Sequence, residues 1–149
     1  MSMFPHTVTV YNTETGETPE NNFQPGLVNH ITVLHGVLLD ASKGANVRSS
    51  GLVGADAVNL YIPMNVRAVD GVTGREKRFV DHVAFWRASD KSDIWTLNVG
   101  ENTFFVKGEV VEPDKSVSFI EMAYADVYSV TKIDVKDFGG LQHIQVGGA

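Results

Sequence analysis

His6, His30, His35, His82 and His143 are the side chains of this sequence best suited to acid–base chemistry or metal binding. Their spacing works against both. His30 and His35 are five apart on a run with strand-like alternation, so they point to opposite faces of a sheet and cannot share one ion. His35 is in phase with Ile31, Val33, Val37 and Leu39, and the expectation is a hydrogen-bonded core histidine rather than a ligand or base. Asp81-His82, with Asp90 and Asp93 nearby, could pair a carboxylate with an imidazole, but no nucleophile or oxyanion donor follows at a useful spacing. The sequence has no cysteine, which excludes a thiolate zinc site, a cysteine nucleophile and a disulfide framework. It has no G-x-S-x-G elbow, no H-E-x-x-H and no phosphate loop; Gly51 and Gly54 lack the spacing and the lysine that such a loop needs. These residues describe a non-enzyme with no cofactor and no metal.

Phe85, Trp86, Trp95, Phe104 and Phe105 are interleaved with Arg87, Lys91 and Lys107, a pattern that could stack single-stranded bases. The charge balance opposes it. Twelve bases against eighteen acids leave a net charge of −6, whereas a surface that grips phosphates is usually basic. No tight nucleic-acid binding is expected, and the aromatics are assigned to packing. Phe104 shares a strand face with Val106 and Val110, and Trp95 shares one with Leu97. Phe105 points the other way and is the candidate intersubunit contact, because exposed aromatics anchor interfaces. The charge is also uneven. Arg75, Lys77, Arg78 and Arg87 form a basic stretch, and Glu109 to Asp137 holds seven acids against three bases. This asymmetry reads either as a means of orienting neighbouring subunits or as an ordinary solvated hairpin.

The elements that must position these residues are mostly strands. Apolar residues alternate with a period of two in Thr7 to Val10, His30 to Asp40, Ala57 to Ile62 and Thr103 to Val111, and Val127 to Val135 is rich in β-branched residues. Asp70-Gly71 and Thr73-Gly74 place a hairpin tip near residues 70 to 74. Pro63 interrupts the run from Val58 to Val69; lacking an amide proton, it marks an edge strand or a bulge. Only Val80 to Ala88 has helical spacing. The expected fold is therefore a single all-β domain over residues 1–149, a small antiparallel barrel or sandwich with long loops and at most one short helix.

Two stretches lack such patterning: the polar Thr13 to Pro25, and Ala41 to Asp56, which is rich in Gly, Ser and Ala. Unstructured segments of this length tend to be functional or to order against a partner. Ala41, Lys43, Gly44, Val47, Arg48, Leu52 and Val53 form the candidate assembly loop. No basic leader precedes an apolar run, and no stretch reaches the ~18 apolar residues of a spanning helix, so a soluble protein made without an export signal is expected.

Four segments carry a resemblance. Gly36-Val37-Leu38-Leu39-Asp40, Ala57-Val58-Asn59-Leu60-Tyr61-Ile62-Pro63, Asn102 to Val110 and the closing Phe138 to Gly148 resemble a family of small uncharacterised proteins of phages and prophages of Gram-positive gut bacteria. The order of strands also looks like that of phage head-closure (head-tail joining) and minor capsid proteins, with an additional segment at Asp70 to Trp95. The resemblance implies a β-barrel subunit without catalytic residues. Such a subunit would join a homo-oligomeric ring with connector, portal or tail proteins, first in the host cytoplasm and then in the virion. The acidic balance suits a channel wall that lets DNA slide. In isolation the subunit is expected to be monomeric or weakly associating. Two other classes stay open: a prophage-encoded β-fold binding module for a carbohydrate or host protein, and a small β-fold enzyme or accessory domain.

Overall fold

A computed structural model describes residues 4–16, 26–40, 58–99, 103–112, 117–136 and 142–149. Its elements are, in order, β1 (His6–Gly16), β2 (Gly26–Asp40), β3 (Val58–Pro63), β4 (Arg67–Asp70), β5 (Arg78–Phe79), α1 (His82–Arg87), β6 (Ile94–Trp95), β7 (Thr103–Lys107), α2 (Val117–Ala123), β8 (Val127–Lys136) and β9 (His143–Gly148). The strands run β1-β7-β8-β9-β3-β2, and β2 pairs back onto β1, every pairing antiparallel. This closes a six-stranded barrel, which agrees with the expected all-β class and settles on one of its two architectures. Closure matters physically because it leaves no long open sheet edge.

Alternate residues fill the barrel. Val8 and Val10 on β1, Leu60 and Ile62 on β3, Phe105 on β7, Tyr128 and Val130 on β8, and Ile144 and Val146 on β9 belong to one buried cluster. The opposite face of β1 and β7 is also dry. Tyr11 lies across from Ile31 and Phe104, and these three pack with Val106 and with Ile120 of α2. One sheet face thus supports the lumen, and the other carries a second, smaller core under α2.

Two irregularities shape the β2 side. His6 pairs with Val37 but Thr7 pairs with His35, so Gly36 is an extra residue, and its φ of 89° suits glycine. A one-residue slip turns the following side chains to the other face. The single face expected for Ile31, Val33, Val37 and Leu39 is therefore split. Ile31 lies in the outer core, and Val37 and Leu39 lie in the lumen. His35 is not a core histidine either; it is half-buried on the outer side.

The second irregularity is at Pro63. Leu39 pairs with Leu60, but Val33 pairs with Val69, a register slip of three residues along the same edge of β2. The strand breaks at Pro63 as the sequence predicts, and Met64 and Asn65 bulge into solvent.

The hairpin near residues 70 to 74 forms as predicted. Asp70 Oδ2 accepts from the amides of Val72 and Thr73 at 2.8 and 2.7 Å, and Gly74 has φ 77°. The additional segment that follows is part of the fold. β5 and β6 pair in parallel, α1 lies between them, and Trp95 enters the lumen cluster with Phe79 against its ring at 5.0 Å.

A second helix, α2, corrects the expectation of at most one. Ile120 is fully buried in the outer core, and helical geometry is what brings Ile120 and Tyr124 onto the same side. Among the described residues no helix is long and apolar enough to cross a membrane.

Candidate functional site

Several polar groups that chemistry could recruit hold the chain to its own barrel. On the outer face of β1, Thr9 Oγ1 donates to the carbonyl of Gly108 at 2.7 Å and accepts from the amide of Val110 at 2.9 Å. Tyr11 Oη donates to the carbonyl of Val110 at 2.6 Å and accepts from the amide of Glu112 at 2.9 Å. Residues 108–112 therefore run as a strap across β1, fixed by two hydroxyls. Burial pushes the Tyr11 phenol up to about 12, against the opposing effect of the Glu112 amide. At the lumen end, Asn12 is fully buried and donates to the carbonyl of Thr96 at 2.9 Å, which ties β1 to the segment that carries Trp95.

Lys77 is the deepest charge among the described residues. Its side chain is 1% exposed, and Nζ meets Asp70 Oδ1 at 3.0 Å, the Ile31 carbonyl at 3.1 Å and Thr32 Oγ1 at 3.2 Å. Burial pulls the lysine below its ordinary value, and the Asp70 carboxylate opposes this. Burial works to raise Asp70, but the Thr73 amide and Lys77 outweigh it and hold the carboxyl low. The pair clips the hairpin to β2. A buried pair of this kind is strongly disrupted when one partner is removed.

The carboxylates near His82 are likewise local. Asp81 Oδ1 caps α1 by accepting from Ala84 N at 2.9 Å, and Asp90 Oδ1 accepts from Ser92 N at 3.0 Å. Among the described residues, no three His, Asp or Glu side chains converge as a metal site.

Phe105 lacks the exposure on which its choice as the candidate intersubunit contact depends. It is fully buried in the lumen and lies 5.5 Å from the Tyr128 ring. Phe104 and Val106 share a face as expected, but β7 ends at Lys107 and Val110 meets the same cluster from the strap; both faces of β7 are covered, so no exposed side is left for an interface role. Trp95 is 1% exposed, as a core role predicts. The assembly-loop residues Ala41, Lys43, Gly44, Val47, Arg48, Leu52 and Val53 lie outside the described residues.

Two surface features take the place of Phe105. The first is α2, where Met122 is 90% and Phe119 44% exposed on the side away from Ile120. Its helical signal is present in the sequence: Val117, Ile120 and Tyr124 recur at steps of three and four. The second is an open cleft of about 430 Å³ where the Gly36 bulge meets the break after Pro63, bordered by Phe4, His35, Pro63, Asn65, Val66 and Arg67. A neighbouring cleft of about 280 Å³ shares Asn65, Val66 and Arg67 and extends to Glu76 and Lys77. No sequence pattern marks this place, because two bulges on separate strands create it.

No curated protein and no solved structure matches the chain. A protein-family model described as a family of unknown function, DUF6751, matches residues 3–149, and the chain belongs to that family.

Proposed function

We propose that this protein is a phage or prophage virion subunit of the head-tail junction, a head-closure or connector protein that assembles with neighbouring virion proteins into a ring. The observation that carries the reading is how the polar groups are used. Thr9, Tyr11, Asn12 and Lys77 each hold a segment of this chain to the barrel, and the described residues contain no buried side-chain nitrogen or oxygen without a partner. This is the construction of a stiff building block. Its apolar outward feature is α2, with Met122 projecting. The four segments that resemble phage proteins support the same reading, and the strands they fall on, β2, β3, β7 and β9, are all barrel staves.

The test is assembly. Light scattering of the purified protein across a concentration series should report a monomer or weak self-association. Negative-stain images should show rings only after the portal, connector or tail proteins encoded beside it are added. Failure to co-assemble with any of them would refute the reading. The open cleft beside His35 and Arg67 favours a second reading, a binding module for a carbohydrate or host protein; retention on a glycan array without co-assembly would select it.

A further inference from the structure

His35 and Arg67 are direct cross-strand partners between β2 and β4. Side chains in this position share a face, with Cβ atoms roughly 4.5–5.5 Å apart. Here neither His35, Arg67 nor the adjacent Asn65 makes a side-chain hydrogen bond or ion pair with any described residue. Glu76, which borders the neighbouring cleft, does not pair with Arg67. The contrast with Lys77 is direct, since that cation has an aspartate and two oxygen acceptors.

The backbone at this point is also open. The ladder between β2 and the β3–β4 strand stops at His35↔Arg67 and resumes at Leu38↔Tyr61, and the larger cleft lies in that gap. Its other walls are apolar: Phe4, Pro63 and Val66. A guanidinium presents two parallel donors that match a carboxylate or phosphate, and imidazole and amide can add further donors. The apolar walls favour a carboxylate attached to an apolar neighbour, and the net charge of −6 repels a nucleic-acid polyanion more strongly than a single carboxylate.

We propose that the gap between the Gly36 bulge and the Pro63 break is a docking site for an acidic side chain of a partner polypeptide. Arg67 and His35 hold the carboxylate, and an adjacent apolar side chain rests on Phe4, Pro63 and Val66. The proposal is independent of the virion reading, since a partner of any origin with this chemistry would fit.

The experiment is an NMR titration of the full chain, reading the His35 ring and Arg67 Nε. The probes are the blocked dipeptide N-acetyl-Leu-Glu-amide, its Leu-Gln counterpart, inorganic phosphate and a single-stranded DNA oligonucleotide. Saturable shifts at both residues are expected with Leu-Glu alone. Arg67→Gln should weaken that binding by about tenfold or more, with Arg67→Lys intermediate. Arg67 is exposed, so both variants should keep the wild-type amide spectrum elsewhere. Equal binding of Leu-Gln, undiminished binding by Arg67→Gln, or tighter binding of phosphate or DNA than of Leu-Glu would each overturn the proposal.

Discussion

The lumen and the outer core are both dry, yet they are held in different ways. The lumen is enclosed by six strands and packed so closely that a Cβ on Gly148 would sit 2.7 Å from the Phe105 ring. Among the described residues, the outer core around Tyr11, Ile31 and Phe104 is covered by α2, by the 108–112 strap and by the hairpin at Gly71, and the strap is held largely by side-chain hydrogen bonds from Thr9, Tyr11 and Asn29. Tyr11 and Phe104 stack at 4.7 Å beneath that cover. The lesson is that equal burial need not mean equal rigidity. A stave-walled site cannot collapse around a deletion, whereas a strap and a short helix can settle into one.

The largest expected effect is Phe105→Ala. Truncating a buried Phe costs about 3–5 kcal/mol, and the lumen should place this one at the upper end. Phe104→Ala should fall at the lower end, because its cover can move. Urea denaturation of both variants sets the order, and a larger loss for Phe104→Ala would erase the distinction between the two cores.

Tyr11→Phe should cost about 1–2 kcal/mol, since it deprives the Val110 carbonyl and Glu112 amide of their partner. It also carries a pH signature. The folded value of Tyr11 is raised from 10.0 to about 12, so its contribution is complete below about pH 10 and is lost as the pH climbs towards 12. Melts across the alkaline range should fall more steeply for wild type than for Tyr11→Phe; parallel curves would remove Tyr11 from the account.

Asp70 should produce the opposite trend at the acid end. Its folded value is lowered, so the stability it adds is present above about pH 4 and is lost as the pH drops through the folded value. Asp70→Asn should flatten the acid limb of the melting curve while leaving Lys77 buried with a poorer partner. The smallest effect is expected at Met122→Ser, within about 0.5 kcal/mol, because the side chain is almost fully exposed. On the virion reading, this variant should nevertheless impair co-assembly in sedimentation assays.

Local signals in the sequence predict local features well. Pro63 breaks its strand, Asp70 to Gly74 turns, and the helix after Val80 begins at a capping aspartate. The period-two runs give the class of fold. What they do not convey is that β1, β2 and β7 are buried on both faces, so that alternation cannot tell an inner residue from an outer one. Alternation sets Phe105 opposite Phe104 without showing that both sides are covered. Gly36 adds a second difficulty, since one unpaired residue reverses the facing of Val37 and Leu39 and leaves His35 beside the cleft. Lys77 reads as one of several solvated bases, and only the tertiary position of Asp70 and Ile31 explains its burial. The cleft depends on two such irregularities meeting and has no linear signature at all.

The placement of β9 between β3 and β8 has a consequence for how the chain folds as it is made. β3 ends at residue 63 and β9 begins at residue 143, so 80 residues must be added before β3 meets its outer partner. At roughly 5–20 residues per second the ribosome needs about 4–16 seconds for that stretch. During this interval β3 offers Val58, Leu60 and Ile62 on an unpaired edge, the kind of template that recruits foreign strands. Barrel closure through β9 is the last pairing available, and it links residues 80 to 90 positions apart, which makes it slow as well as late. Nascent chains stalled before residue 143 should therefore depend on chaperones far more than chains released after it.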